Sequence, residues 1–405
     1  MGRIGGSRAA GAAGGLARFL LLYGALYGAY GSLSPVLPNV LAARGLSPTE
    51  IGLVLAGATL TRLVAGPLAG RAADRWGAAR TILSAAAGLA GLATLAHLAG
   101  HGFPALLALG LAYAVATAPL APLADALALT AAGGGRAFQY GWVRGAGSAA
   151  FIGATSLVGW LIAAWGLAAA LVAGGVLFLA TGLAARLLPA EATSDIAAEP
   201  GVQSAAAGPA VSDGIWQGFA ELVRLPGFRR TVLVAALVIG AHAMHDAFAM
   251  ILWRASGIGP GIAGLLWSEA VAAEVLVFLA AGPWLLARIG LPGGLVLAAG
   301  AGALRWGVMA ETTALPWLAS VQLLHGLTFA LLHLACLGLI ERVVPARLRA
   351  TALTLYGTVG LGLAGAALTL AAGPLYAAFG ARGFWVMAAL SLLAVPLAFR
   401  LRLQP

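Results

Sequence analysis

The side chains best able to do chemistry in this chain are Asp125 and Arg144, because both stand in otherwise apolar, Gly- and Ala-rich sequence. Residues 140–145 read Tyr-Gly-Trp-Val-Arg-Gly, and residues 356–361 repeat this pattern without the arginine, as Tyr-Gly-Thr-Val-Gly-Leu. Both copies continue into runs long enough to cross a bilayer, where an unpaired charge costs roughly 2.5–3.5 kcal/mol. A guanidinium there can bind a carboxylate through two hydrogen bonds. The pattern favours a substrate-binding pair; the alternative is an ion pair that only locks two helices together.

Glu274, Arg305 and His325 form a second set, one from each of three later apolar runs. Burial favours the protonated form of a carboxylate and a neighbouring arginine favours the ionised form, so movement of the arginine would change proton binding. Histidine titrates in the physiological range or serves as a neutral hydrogen-bonding partner. The set predicts a proton-coupling site, and the alternative is a fixed charge network that holds helices together.

Other polar and aromatic side chains recur at helical spacing in the apolar runs. His242 and Asp246 are one helical turn apart. We expect them to line a polar face of a pore and to bind no metal, since metal ligation needs three or four converging ligands. The first apolar run carries Tyr23, Tyr27 and Tyr30 on one helix face. Pore lining and helix packing are equally consistent with this stripe of tyrosines. An aromatic pore wall would suit an aromatic substrate, and the candidates for it are Tyr27, Tyr30, Trp142 and Trp267.

The elements that position these residues must span a membrane. The chain has 405 residues, of which 61% are hydrophobic and 9% are charged, whereas soluble proteins are about 25% charged. The net charge of +10 resides in arginines of short loops, so we expect the lipid bilayer and no nucleic acid as a partner. At about 20 residues per crossing, the sequence predicts an all-α polytopic protein with twelve transmembrane helices at 18–40, 50–72, 80–99, 103–130, 139–163, 166–188, 229–253, 260–287, 291–310, 316–341, 350–378 and 381–400.

The basic residues predict the orientation of these helices. Between the predicted spans, only Arg44, Arg254 and Arg382 fall on the side opposite the N-terminus. The positive-inside rule therefore places both termini in the cytoplasm. Because the basic residues are all arginine and Ala and Gly are abundant, the composition suggests a GC-rich bacterial genome and hence a bacterial cytoplasmic (inner) membrane.

The chain divides into two halves that repeat each other. A polar stretch at 189–228 predicts a cytoplasmic central loop between an N-terminal six-helix bundle, 1–188, and a C-terminal six-helix bundle, 229–405. Gly-Leu-Ser-Pro at 45–48 corresponds to Gly-Ile-Gly-Pro at 257–260. Two pseudo-symmetric bundles around a site at the membrane midplane are typical of secondary transporters.

Several stretches resemble a known family. Residues 70–77 read Gly-Arg-Ala-Ala-Asp-Arg-Trp-Gly and resemble the G-x-x-x-D-R-x-G loop signature of the major facilitator superfamily. Within it, the chain resembles the phenylpropionate permease family, a relative of lactose permease-type proton symporters. The stretches that carry this resemblance are 119–127, 140–148, 272–275, 305–307 and 321–325. The resemblance implies the major facilitator fold, alternating access by rocking bundles, proton-coupled uptake and a functional monomer.

The resemblance also implies roles for single residues. Asp125 and Arg144 stand at the places of the substrate pair, and Glu274, Arg305 and His325 at those of the proton-coupling region. Thr328 replaces a carboxylate that is essential for coupling in the symporters. We interpret one more cluster as a gating element, which would hold the inner face of the protein closed in one conformational state. Its residues are Gly70, Asp74, Arg75 and Gly77.

The function expected from these observations is proton-coupled import of a small organic solute by alternating access. The leading solute is an aromatic monocarboxylate such as 3-phenylpropionate. The alternatives are a sugar or nucleoside proton symporter and a drug:proton antiporter. We expect no enzyme and no cofactor, because no nucleophile–base pair or metal set is apparent at one helix face. A sensor would need a signalling domain, for which 189–228 is too short.

Overall fold

A computed structural model describes residues 3–133, 135, 137–188 and 214–401, and throughout these residues the regular structure is helical. Residues 189–213 of the predicted central loop and both chain ends lie outside the described residues. In the first part of the chain the α-helices are α1 (Arg3–Leu33), α2 (Leu37–Ala43), α3 (Pro48–Trp76), α4 (Ala79–Ala96), α5 (Phe103–Thr117), α6 (Leu120–Ala132), α7 (Tyr140–Trp165) and α8 (Ala168–Arg186). In the second part they are α9 (Gly214–Arg224), α10 (Pro226–Gly240), α11 (His242–Ala255), α12 (Pro260–Leu276), α13 (Gly282–Glu311), α14 (Leu315–Gln322), α15 (Leu332–Val343), α16 (Arg349–Leu355), α17 (Ala364–Phe379) and α18 (Phe384–Phe399).

Ten segments of the described chain are long and apolar enough to cross a membrane. Two of them, Pro260–Glu311 and Ala346–Phe399, have 52 and 54 residues, which is enough for two crossings each at about 20 residues per crossing. The first contains Gly290 in a left-handed, non-helical conformation, with φ 72° and ψ 169°. The second contains a 3-10 turn at Gly380–Gly383. The protein is therefore a polytopic helical membrane protein.

Several helices of the second part are interrupted by π-helical turns. These turns occupy Val277–Ala281, Gly326–Leu331 and Tyr356–Leu363. The last of them begins at the second copy of the repeated Tyr-Gly sequence, whereas the first copy begins the regular helix α7. A π-turn inserts an extra residue and is frequent at functional sites. One of these turns begins three residues after Glu274, and another follows directly on His325.

The buried core has three main parts. One contains only residues from Phe19 to Leu188, and another only residues from Leu222 to Leu401. A third joins the two parts of the chain, because Leu41 and Val54 lie in it together with Met244 and Trp306. The division into bundles at 1–188 and 229–405 stays a prediction; the second core also includes Leu222 and Phe228, which precede residue 229.

The two parts of the chain meet along a seam of glycines, which we define as Gly52, Gly159, Gly264 and Gly373. Helix α3 packs on α17 and α7 packs on α12. A β-carbon on Gly373 would lie 2.7 Å from the carbonyl oxygen of Pro48, and one on Gly159 would lie 2.5 Å from that of Pro260. Small residues permit such close helix contacts in membranes. Because Pro48 and Pro260 occupy corresponding repeat positions, the seam is pseudo-symmetric.

Candidate functional site

A tyrosine cluster surrounds Asp125 in the first half. Asp125 lies on α6, five residues after the helix starts at Leu120 behind the break at Pro119. The hydroxyls of Tyr23 and Tyr140 both donate to Oδ1 of Asp125, at 2.5 and 2.9 Å. Arg144 does not form an ion pair with Asp125, which was the alternative to a substrate-binding pair; its guanidinium instead donates to the hydroxyl of Tyr27. The tyrosines connect the two charged side chains, because the rings of Tyr23 and Tyr27 stack with centroids 5.6 Å apart.

Arg144 lies near the end of its helix, as the predicted span 139–163 also placed it. It is the fifth residue of α7, about 6 Å along the axis from Tyr140 at 1.5 Å per residue, and its side chain is exposed. Arg62, by contrast, is the fifteenth of the 29 residues of α3. The arginine at the middle of a spanning helix in this half is therefore Arg62.

A second polar network centres on Arg305, which is fully buried on α13. One terminal nitrogen lies 2.9 Å from Nδ1 of His325. The other donates to Oε1 of Gln322 at 2.9 Å and lies 3.4 Å from Nε2 of His245. The guanidinium carbon also lies 4.5 Å from the ring centroid of Trp306. Both histidine nitrogens must act as acceptors here, because arginine has only donors.

This requirement fixes where the histidine protons sit and connects Arg305 to two carboxylates. If Nδ1 of His325 accepts, its Nε2 carries the proton and donates to Oε2 of Glu274, 3.3 Å away. If Nε2 of His245 accepts, its Nδ1 donates to Oδ1 of Asp246, 3.2 Å away. Arg305 therefore reaches both Glu274 and Asp246 through one neutral histidine each.

Thr328 lies inside the same network, within the π-turn that follows His325. Its Oγ1 lies 3.0 Å from Nε2 of His242 and accepts a hydrogen bond from Arg305 at 3.4 Å. His242 is buried against Trp306 and is not part of the lining of the cavity between the halves, described next. His333 lies outside the network, because its ring bonds to the hydroxyl of Tyr356 at 2.9 Å.

A cavity of about 470 Å³ opens between the two halves, within the range of about 300–1,000 Å³ that is usual for small-molecule sites. Helices α1, α2, α3, α5 and α6 form one wall, and α11 and α17 form the other. The ionisable acid and base in its lining are Asp246 and Arg62, one from each wall, and Tyr30 and Tyr113 supply aromatic surface. The Asp246 side chain is 61% exposed, so it faces the cavity.

The other aromatic candidates have different surroundings. Trp267 stacks on the ring of His245, with centroids 4.8 Å apart, so it contacts the Arg305 network. Trp142 is 68% exposed and lies two residues before Arg144, about 200° around the helix. The structure therefore does not bring Trp142 to the tyrosine cluster, because α7 turns the two side chains to opposite faces.

The signature at 70–77 is helical and not a loop. Helix α3 continues to Trp76, and Gly77 ends it in a left-handed conformation with φ 57°. Gly70 therefore lies on the last turns of the helix, together with Asp74 and Arg75, which are exposed. Neither of these two charged side chains has an ion-pair partner among the described residues.

The described residues contain no group of three or more ligands that could hold a metal ion.

The residues that sequence reasoning underrated are Arg62, Tyr113, Tyr140 and His245. Arg62 carried a usable signal, since it is a charge in an apolar run. The contacts of Tyr140 and His245 could not be read from spacing, because Tyr140 bonds to Asp125 on the preceding helix α6 and His245 contacts Arg305 and Gln322 on later helices.

Helices that can cross a membrane, a glycine seam between the two parts of the chain and a cavity between them are features of a secondary transporter. Residues 16–387 match the model of the MFS_1 like family, and the chain belongs to this family. Within it the chain is a transporter of the phenylpropionate permease type, because it is 34% identical to the probable 3-phenylpropionic acid transporter of Escherichia coli (strain K12) over 391 residues, which cover 94% of this chain and 96% of that protein.

More distant relatives agree with the fold. The maltose permease of Geobacillus stearothermophilus is 29% identical over 360 residues, covering 88% of this chain and 86% of that protein. The crystal structure of the nucleoside transporter NupG superposes with a TM-score of 0.76 at 18% identity, covering 95% of this chain and 98% of that one. A bacterial homologue of the human lysosomal transporter Spinster, in an inward-facing and unoccupied conformation, superposes with a TM-score of 0.72 at 16% identity, with 97% coverage of both chains.

Proposed function

We propose that the chain imports an aromatic monocarboxylate such as 3-phenylpropionate together with a proton. The observation that carries the proposal is the double connection of Arg305, through His325 to Glu274 and through His245 to Asp246. A proton that binds to either carboxylate changes the charge that faces Arg305, and so changes which histidine contacts are favourable. The name of the relative with 34% identity supplies the solute class.

We further propose a topology for this transport. The two longest apolar segments each cross twice, which gives twelve crossings, with the halves 1–188 and 229–405 joined by a central loop at 189–228. The arginine distribution places both termini in the cytoplasm, here of a bacterial inner membrane, and the protein acts as a monomer. Part of this loop is the helix α9, whose Glu221 forms an ion pair with Arg347 at 2.7 Å.

In this orientation the glycine seam closes the outer end of the pathway. The seam then has to open when the transporter faces outwards, and the opposite end has to close. Asp74 and Arg75 lie exposed at that opposite end. We propose that they gain partners in the outward-facing state, with Gly70 and Gly77 permitting the close contact.

The solute passes between two groups of residues in this proposal. The cavity with Tyr30 and Asp246 holds it between the halves, beside the network that contains His242 and Trp267. The tyrosine cluster, with Asp125 and Arg144, binds the solute on the cytoplasmic side. There a carboxylate would replace Tyr27 as the partner of Arg144.

One observation favours a second candidate, a sugar proton symporter. Asp125 accepts two hydroxyl hydrogen bonds from tyrosines, and a sugar could replace these hydroxyls. A relative with 29% identity is a maltose permease. Nucleoside symport and drug:proton antiport complete the alternatives.

The test is uptake of labelled 3-phenylpropionate by cells that produce the chain, with and without a protonophore. We expect accumulation above the empty-vector control, and its loss with the protonophore. Glu274→Gln should abolish accumulation. Glu269→Gln is the matched control, because Glu269 lies on the same helix and has no hydrogen-bond or ion-pair partner among the described residues. Failure of the wild type to accumulate 3-phenylpropionate, with folded protein present in the membrane, would refute the solute class. Accumulation by Glu274→Gln would refute this route for the proton.

A further inference from the structure

We propose that Arg62 is the binding site for the carboxylate of the solute in the cavity between the halves. This inference rests on the proposed function, because it takes the solute to be an aromatic monocarboxylate. It differs from the role expected for Arg144, which does not line this cavity and whose guanidinium is bonded to Tyr27.

The guanidinium of Arg62 is held in place on one side only. Its Nε is directed to Oγ1 of Thr117 at 3.5 Å. The hydroxyl of Thr117 in turn donates to the carbonyl oxygen of Tyr113 at 2.7 Å, which leaves a lone pair for Arg62. The guanidinium carbon lies 5.9 Å from the ring centroid of Tyr113, so the aromatic face also supports the cation.

The two terminal nitrogens of Arg62 are therefore available to a ligand. Neither makes a hydrogen bond or an ion pair with any residue that the structure describes. The one acceptor that contacts Arg62, Oγ1 of Thr117, comes from α5 of the same half. An arginine that served only to lock the two halves together would need an acceptor from the opposite half, and none of the described residues there supplies one. A free planar pair of N–H groups fits the two oxygens of a carboxylate.

The rest of the cavity lining suits the aromatic, apolar part of such a solute. Most of the cavity wall is small and apolar, as in Val54, Leu55 and Ala58, and Tyr30 adds a second aromatic ring. Asp246 lies on the opposite wall. Its like charge would repel a carboxylate placed near it, so the ligand would turn its carboxylate towards Arg62 and its ring away.

The internal repeat supports a function for this position. Arg62 lies fourteen residues after Pro48, and Glu274 lies fourteen residues after Pro260. The same place in the two halves therefore carries a cation in one and a carboxylate in the other. A position that served only the packing of the duplicated fold would not need opposite charges.

The test compares an acid with its uncharged isostere. Isothermal titration calorimetry of the full chain in detergent micelles would measure binding of 3-phenylpropionate and of 3-phenylpropanamide. We expect the wild type to prefer the acid by roughly 10- to 100-fold, the range of a charge-assisted hydrogen bond. In Arg62→Gln the preference should fall to about one while the affinity for the amide is unchanged, which also shows that the cavity is folded. Arg254→Gln is the control, because it removes the same charge beside a different, smaller cavity.

The outcomes separate the inference from the proposed function. Retention of the acid preference in Arg62→Gln would overturn the role of Arg62 and leave the aromatic acid as the solute. Absence of any preference in the wild type would overturn both. If Arg62→Gln bound neither compound, Arg62→Lys would decide: it keeps the charge, so a reduced preference for the acid supports the site. Wild-type binding of the amide by Arg62→Lys with an undiminished preference for the acid would overturn it, because lysine lacks the planar fork of arginine.

Discussion

One methyl group at Gly159 should hold the seam between α7 and α12 open. The β-carbon of an alanine there would lie 2.5 Å from the carbonyl oxygen of Pro260 and 3.1 Å from Cα of Gly261. Both neighbours are backbone atoms, so no side chain can rotate away. Weak contacts between carbon and carbonyl oxygen are normally about 3.3–3.6 Å long, and the helices would therefore have to separate by about 1 Å at this point.

The size of the effect follows from the cost of overpacking. An added methylene in a well-packed site costs about 1–3 kcal/mol. The clash exists only while the seam is closed, so this free energy shifts the balance between the closed and open seam by roughly 5- to 150-fold. Gly153→Ala is the matched control, because Gly153 lies on the same helix and a β-carbon there would meet nothing within 4 Å.

Cysteine labelling in intact cells would measure this shift. The chain has one cysteine, Cys336, which is buried, so Cys336→Ser removes the background. A new cysteine at Ala121, which lines the cavity between the halves, then reports on access from outside through a membrane-impermeant maleimide. We expect Gly159→Ala to accelerate labelling by roughly 5- to 150-fold over the parent, and Gly153→Ala to leave it unchanged.

Two results would refute this reasoning at different steps. Equal labelling rates in the Gly159→Ala and Gly153→Ala variants would mean that the seam does not control access to the cavity. Faster labelling of Gly159→Ala in inside-out vesicles, and not in intact cells, would mean that the seam faces the cytoplasm. The second result would overturn the orientation that the arginines predict.

Two further substitutions test the polar networks. Thr328→Val should lower the free energy of unfolding by about 1–2 kcal/mol, because it removes the contacts with His242 and Arg305. Thermal unfolding in detergent would measure this loss. Thr231→Val is the control, since it removes only a bond within one helix, and an equal loss of stability in both variants would contradict the prediction. Arg144→Lys should reduce 3-phenylpropionate uptake at least about tenfold with unchanged amounts of protein in the membrane, since lysine lacks the planar fork of arginine. If the Arg144→Lys variant took up the acid at the wild-type rate, Arg144 would only link two helices.

The spanning helices were predictable because apolar runs of this length have few other uses. The predicted span 139–163 corresponds to Tyr140–Trp165, and 229–253 to Pro226–Ala255. The prediction was wrong at 70–77, where the helix continues to Trp76 through charged residues. Local polarity suggested a loop there, but the end of a membrane helix can extend beyond the apolar layer.

The candidate site was predictable in its residues and less so in its contacts. The structure brings Glu274, His325 and Arg305 together, with the histidine between the two charges. It separates Asp125 from Arg144 by the tyrosine cluster, a relation that depends on how far α1 is rotated. Sequence periodicity also does not reveal the π-turn after His325, which changes the direction of every later side chain on that helix.

The opposite charges of Arg62 and Glu274 give a physical reason for coupling in a duplicated fold. In the proposed transport the halves rock about the pseudo-symmetry axis, and these two positions would change their surroundings together. An anion at Arg62 would neutralise this position in the first half, and a proton at Glu274 would neutralise the corresponding position in the second. A loaded transporter then moves no uncompensated charge of these residues through the low-dielectric middle of the membrane, whereas a half-loaded one does. This difference favours movement with both ligands bound over movement with one, which is the requirement for symport.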